Sequence, residues 1–523
     1  MTKGIDKYSI DSTDYQIGQD NIQKWGLDVH NAVFSASAGL TILFLLTMVF
    51  LDAETAKTAL DGLKNSIITN FDALFIWAGN IFVIFCLILI VSPYGKIRLG
   101  GKDATTDYSL LSWIAMLFAA GMGIGLMFWS VAEPVAYFTG WFHTPLNVEP
   151  NTPEAAKLAL GATMYHWGLH PWAIYGIVAL SLAFFTYNKG LPLSIRSIFY
   201  PILGDRTWGW AGHIVDTLAV LATLFGLATS LGLGAQQAAS GINHVFGISS
   251  GFGLQVAVIT VVTILAIVSV MRGIDGGVKV ISNINMLIAF LLLGLVMFIG
   301  YHVTFSSITT TIAAYAENLI PLSNPHGRED EAWFQGWTVF YWAWWISWSP
   351  FVGMFIARVS KGRTVREFIT AVLIVPTIVT VVWMSVFGGL AIDQVVNQVG
   401  ILGSKGLTDV SLAMFEMFDS LPMGKMLSII AVVLVLVFFI TSSDSGSLVI
   451  DSITAGGKVD APVVQRVFWA FMEGAIAVAM LWVGGSEAVQ ALQAGAISTA
   501  LPFTFVLLAM CVSLLMGMAT EER

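Results

Sequence analysis

FQGWTVFYWAWWISWSPFVGMFIA, residues 334–357, contains no Asp, Glu, Lys or Arg. It is long enough to cross a bilayer, which takes about 20 apolar residues in one helix. Arg358, Lys361, Arg363 and Arg366 follow it at once. The rest of the chain has the same character. Of 523 residues, 56% are hydrophobic and 11% charged, with a mean hydropathy of +0.80. An average globular domain carries about 25% charged residues. This chain lacks the charge to cover a soluble surface of its size, which excludes a soluble enzyme, a disordered chain and a nucleic-acid binder. The net charge of −9 also argues against an anionic polymer as partner. Cys86 and Cys511 lie inside apolar runs without metal or redox spacing, so no structural disulfide is expected.

Working outward from 334–357, twelve apolar runs appear: 33–51, 72–93, 109–130, 165–187, 211–242, 252–271, 280–303, 334–357, 368–391, 424–446, 466–485 and 488–516. They are continuous rather than alternating, which excludes a β-barrel. The chain reads as an all-α, multi-pass membrane protein with twelve transmembrane helices. Lys and Arg sort by side. Lys24, Lys96, Arg98, Lys102, Lys189, Arg196, Arg206, Arg272, Lys279, Arg358 to Arg366, Lys458 and Arg523 share one side; Lys57, Lys64, Lys157, Arg328 and Lys405 share the other. The basic side is expected to be cytoplasmic, with both termini. The polar stretch 1–32 is read as a cytoplasmic tail, because it lacks the basic start and short apolar core of a cleavable signal peptide. Residues 304–333 form an external loop; within it 305–322 reads as an amphipathic helix on the outer face or an ordinary packed loop helix. Residues 517–523 form a short cytoplasmic C-terminal tail.

Transporter sites sit at interrupted helices near the bilayer midplane. Three interruptions are expected. Ala119-Ala120-Gly121-Met122-Gly123-Ile124-Gly125 weakens its helix by about 1 kcal/mol per glycine and opens backbone at Met122 and Gly123 to a ligand or to a second helix. Ser347-Trp348-Ser349-Pro350 loses a helix bond at the proline. Thr441-Ser442-Ser443-Asp444-Ser445-Gly446-Ser447 offers hydroxyls that cap, bend or ligate.

Tryptophan ordinarily marks the membrane interface. Trp344, Trp345 and Trp348 lie instead in the middle of their run. Trp345 and Trp348 are three residues apart and Trp344 and Trp348 four apart, so each pair shares a helix face. Trp172 and Tyr175 repeat the three-residue spacing in the fourth run. Aromatic faces attract quaternary ammonium groups, by about 2 kcal/mol or more when desolvated. The cluster reads as an onium box or as plain core packing. Intramembrane carboxylates are functional by default. The candidates are Glu133, Asp216, Asp444 and Glu473. The first three read as span-end pairing or capping groups, and Glu473 as deeper and a proton-carrier candidate. His166 and His170 flank Trp167 and read as core or entrance residues rather than metal ligands.

These motifs together resemble one family. Gly121 to Gly125 with Glu133-Pro134, His166 to Tyr175, Trp342 to Pro350, Ala357-Arg358 to Arg363, and Thr441 to Ser447 resemble the betaine-choline-carnitine transporters. The resemblance spans the chain from the first run to the twelfth and is closest to the Na⁺-coupled glycine betaine type. It implies two extra helices (33–108), then two inverted five-helix repeats (109–303 and 334–516) in the architecture of sodium-coupled amino-acid transporters, and a homotrimer. It implies a central box of Trp167, Trp172, Tyr175 and Trp345, and a second aromatic face of Trp344, Trp348 and Phe340 toward the cytoplasmic exit. It implies one Na⁺ held by the positions matching Ala119, Met122, Phe438, Thr441 and Ser442, since a hard cation prefers oxygen ligands. A second Na⁺ would involve Thr223, near Phe351. The threonine that the pattern places four residues later is here Leu227, which offers no side-chain oxygen.

The resemblance also bears on substrate. Choline-type, proton-coupled members tend to carry aspartate where Gly125 stands here. No carboxylate adjoins the box in sequence, which favours a zwitterion such as glycine betaine with Na⁺ over choline with H⁺. Carnitine exchangers lack the glycine-rich motif and the hydroxyl ligands present here. Choline uptake and carnitine/betaine exchange are the alternatives. No cofactor is expected; the partners are a small methylated solute, Na⁺ and membrane lipid, and the location a bacterial inner membrane. The short C-terminal tail argues against osmosensing through a basic C-terminal helix.

Overall fold

The computed structural model describes residues 13–121, 123–272 and 279–521. Met122 of the glycine-rich motif lies outside the described residues, as do Glu522 and Arg523 of the C-terminal tail. A short antiparallel hairpin, β1 (Asn21–Lys24) and β2 (Leu27–His30), precedes nineteen α-helices among the described residues. These are α1 (Asn31–Phe50), α2 (Ala53–Val91), α3 (Leu110–Gly121), α4 (Ile124–Thr139), α5 (Pro153–Trp167), α6 (Leu169–Tyr187), α7 (Tyr200–Leu203), α8 (Trp210–Phe246), α9 (Phe252–Arg272), α10 (Lys279–Ile299), α11 (Tyr301–Ser323), α12 (Glu331–Gly336), α13 (Thr338–Val359), α14 (Val365–Val396), α15 (Gly400–Lys405), α16 (Ala413–Asp419), α17 (Gly424–Thr454), α18 (Val463–Gly484) and α19 (Ala488–Ala519).

Eight of the described helices are long and apolar enough to cross a membrane, or up to nine if the pair 283–299 and 301–323, bent by 107° at Gly300, is one span. That count takes α5–α6 and α18–α19 each as one continuous stretch. α13 is absent from it because tryptophan, tyrosine and serine lower its hydropathy, although Thr338 to Pro350 are all buried. α13 is the central element. It packs against α6, α8 and α19, and α17 packs against α8.

Three expected interruptions meet two outcomes. The glycine-rich stretch does break: α3 ends at Gly121, and Gly123 is extended (φ −161°, ψ −175°) before α4 begins. α13 runs through Pro350 without a break. Proline removes the N–H that would bond the Ile346 carbonyl, but the Ser349 hydroxyl donates to that carbonyl at 2.7 Å. α17 also runs unbroken through Thr441 to Ser447; Thr441 donates to Val437 and Phe438, both at 3.1 Å, Ser447 to Asp444 at 2.9 Å, and Ser443 to Glu473 of α18 at 3.0 Å.

One break was not expected. The fourth apolar run divides at Gly168 (φ −98°, ψ −125°), between α5 and α6. Tyr315 of α11 fills the gap and its hydroxyl accepts from the Leu169 N–H at 3.0 Å. A Cβ at Gly168 would stand 2.7 Å from the Met164 carbonyl oxygen and 2.8 Å from the Tyr315 hydroxyl. Pro171 then sits in the first turn of α6, where a missing N–H costs no helix bond.

Candidate functional site: an aromatic cage at the broken helices

The two breaks face the middle of α13, and a cavity of about 30 Å³ lies where they meet. Gly123, Trp167, Trp172, Tyr175, Trp344, Trp345 and Trp348 line it, joined by Gly125, Leu126, Pro171 and Thr380. Trp344 and Trp345 stack at 5.0 Å with 11° between planes. Trp167 meets Trp345 edge-on at 4.9 Å, Tyr175 meets it at 6.1 Å, and Trp172 meets Tyr175 at 5.5 Å. Phe340 does not line the cavity; it stacks on Trp344 at 5.4 Å, one layer back. Thr380 on α14 carried no signal in the sequence, because a lone threonine in an apolar run looks like any other.

Four of the cage rings are fixed through their indole nitrogens. Trp344 donates to the Ser230 hydroxyl (3.1 Å), Trp345 to the His166 carbonyl (2.9 Å) and Trp348 to the Gly226 carbonyl (2.9 Å). Trp167 donates to the Glu133 carboxylate at 2.7 Å. Satisfied N–H groups leave the ring faces as the cage's working surface, and aromatic faces suit an alkylated cation that cannot hydrogen-bond. Gly125 is needed for this approach: a Cβ there would stand 2.5 Å from Trp344 and 3.1 Å from Trp167. An aspartate at that position would displace Trp344.

A wider vestibule of about 810 Å³ lies nearby, lined in part by Trp129, Gln236, Trp337, Asp409 and Gln490. Trp129 packs edge-on against Tyr341 at 6.2 Å. Tyr341 in turn contacts Trp167, Trp344 and Trp345 at 5.6, 6.2 and 5.9 Å. Trp129 and Tyr341 thus stand between vestibule and cage.

The positions matched to sodium are partly described. Phe438, Thr441 and Ser442 follow one another along α17, and Phe438 and Ser442 are buried. Ala119 lies near the end of α3. Of the second set, Thr223 is buried on α8 and its hydroxyl donates to Ala219 at 2.7 Å. Phe351 contacts Trp348 at 5.4 Å, and Trp348 bonds Gly226 of α8, the helix that carries Thr223. Leu227 is turned toward α17: a Cβ at Gly446 would meet its Cδ1. It acts there as packing between α8 and α17.

The buried carboxylates differ. Asp216 pairs with Arg196, Asp444 accepts from Ser269 at 2.6 Å, and Glu473 accepts from Ser443 at 3.0 Å. Glu133, expected near a span end, is fully buried in α4. His170 bonds Asn80 at 3.1 Å and stacks on Trp342, a core role.

A family model described as betaine/carnitine/choline family transporter matches residues 32–523. The chain belongs to the betaine/carnitine/choline transporter family. It is therefore a multi-pass membrane transporter rather than an enzyme, as the resemblance implied. It is 83% identical over 523 residues to glycine betaine transporter 1 of Vibrio parahaemolyticus, covering the whole of both chains. It is 66% identical over 521 residues to a glycine betaine/proline/choline/ectoine transporter of the same organism, covering 100% of this chain and 93% of that protein. A glycine betaine transporter of Acinetobacter baylyi is 42% identical over 488 residues, covering 92% of this chain and 72% of that protein.

Proposed function

We propose that this chain takes up glycine betaine or a similar methylated-onium zwitterion by Na⁺ symport with alternating access. The observation that carries the reading is the cage: six aromatic side chains from α5, α6 and α13 around one cavity beside two helix breaks. The names of the relatives, glycine betaine transporters of up to 83% identity, support the same substrate. Unwound backbone at the first break and the hydroxyls of Thr441 and Ser442 supply the oxygen ligands Na⁺ prefers. We further propose twelve spans, two inverted five-helix repeats after two extra helices, a homotrimer, a bacterial inner membrane and cytoplasmic termini.

Choline is the second reading. Glu133 supports it, because the carboxylate that the substrate would lack is supplied by the protein one indole behind the cage. Radiolabelled betaine and choline uptake into proteoliposomes separates the readings, with an inward Na⁺ gradient or with K⁺ in its place. Betaine uptake that needs Na⁺ is expected. Uptake indifferent to Na⁺ would remove Thr441 and Ser442 as coupling ligands.

A further inference from the structure

We infer that Glu133 is the positioning residue of the cage, and that its negative charge gives the site its preference for an onium centre over a neutral group of the same shape. The inference rests on the cage reading above. No pattern near Trp167 in the sequence announces it, since Glu133 lies 34 residues away from that indole and 208 away from Tyr341.

Four side chains converge on this one carboxylate. Tyr137 donates to Oε1 at 2.9 Å, and His166 Nδ1 lies 2.9 Å from the same oxygen. Trp167 donates to Oε2 at 2.7 Å and Tyr341 donates to Oε2 as well. All of these residues but Trp167 are essentially sealed from solvent, and Trp167 is 5% exposed because it lines the cavity. The Trp167 indole N–H can only donate, and the Tyr137 and Tyr341 hydroxyls donate here as well, a set that suits a carboxylate anion, which only accepts. His166 closes the network: its Nε2 meets the Thr338 hydroxyl at 2.9 Å, and its backbone carbonyl takes the indole N–H of Trp345.

The bonds lead directly to the cage. Trp167 is a cage wall; Tyr341 stands against three cage rings; His166 holds Trp345. One buried anion therefore orients rings from α5 and α13 around α4. It also acts electrostatically. A buried charge is screened far less than one in water. An anion accepting the indole N–H pushes electron density toward the ring, and bonded chains of this kind polarise one another. The ring face, already attractive to a cation, becomes more so. The same charge repels a substrate carboxylate, so a zwitterion would enter with its onium group toward Trp167 and its carboxylate directed away.

The test compares three ligands of matched shape: glycine betaine, choline, and 3,3-dimethylbutanol, which carries a tert-butyl group where choline carries trimethylammonium. Binding to the purified full chain is read by tryptophan fluorescence in wild type, Glu133→Gln and Glu133→Asp. We expect Glu133→Gln to weaken betaine and choline by at least about tenfold while the neutral alcohol changes by less than about twofold. Glu133→Asp should restore part of the onium preference. Equal loss of all three ligands, or none, would overturn the inference by reducing Glu133 to scaffolding. Tyr341→Phe removes one bond to the anion and keeps the ring, and covers the case in which Glu133→Gln does not fold. It should lower the onium-to-neutral ratio; an unchanged ratio counts against Glu133. A wild-type protein that shows no preference for the onium ligands would defeat the cage reading itself, a result distinct from either variant outcome.

Discussion

The cage and the hydroxyl-rich stretch of α17 both read from sequence as ligand sites, yet their polar groups are spent in opposite ways. In the cage, the indole N–H groups of Trp167, Trp344, Trp345 and Trp348 each bond a helix other than their own. In α17, Thr441 and Ser447 bond carbonyls of their own helix, and Ser443 reaches another helix, at Glu473. The first arrangement is preorganised: its geometry is set by tertiary partners and costs little to hold when a ligand arrives. The second is reassignable, because a hydroxyl that back-bonds its own helix can turn one of its lone pairs to a cation without disturbing the fold. Under the proposed symport, the cage would recognise the solute rigidly and α17 would recognise the ion adaptably.

Breaking the cage should have the largest effect. Trp345→Ala removes a ring that contacts Trp167, Trp344, Tyr341 and Tyr175. One desolvated cation–π contact of about 2 kcal/mol corresponds to roughly 30-fold in affinity. Apparent affinity for betaine should fall by at least that, measured as the half-saturating concentration for uptake. A loss confined to velocity would count against the ring as a ligand.

Thr441→Ala sharpens the other side. Its hydroxyl bonds are local, so thermal stability should hold within about 1 kcal/mol. The Na⁺ concentration for half-maximal uptake should instead rise by about tenfold, with the betaine affinity at saturating Na⁺ preserved. Loss of both together would mean that α17 is as rigidly committed as the cage.

A third effect, on stability rather than transport, lies outside both regions, at the N-terminal hairpin. His30, buried at the end of β2, is pushed down to about 4 by burial, by Arg196 and by His213; Asp20 opposes this. A histidine whose folded value lies below its unfolded value of about 6.5 binds fewer protons when folded. Its stabilising contribution is complete above that value and is lost as pH falls from 6.5 toward 4. The loss at pH 5 is on the order of 2 kcal/mol. A thermal midpoint that declines by a few degrees between pH 7 and pH 5, and declines less in His30→Asn, is the expected result; no acid sensitivity at all would contradict the buried neutral ring.

The sequence determined which residues could form the cage. Spacings of three and four put Trp344, Trp345 and Trp348 on shared faces, and a long uncharged run dictates a membrane helix whatever surrounds it. The glycine-rich break was legible for the same local reason: weak helix formers at alternate positions lower the cost of unwinding. Neither Pro350 nor Thr441 to Ser447 breaks its helix: the carbonyl that Pro350 frees is taken by the Ser349 hydroxyl, and Thr441 to Ser447 lacks no backbone N–H. Gly168 was missed, because the break there depends on Tyr315 arriving from α11. Only the tertiary structure could bring Glu133 to Trp167. Burial of a carboxylate at membrane depth requires donors on several sides, and a single helix presents neighbours only three and four residues apart. Tyr137 is such a neighbour; Trp167, His166 and Tyr341 are supplied by packing.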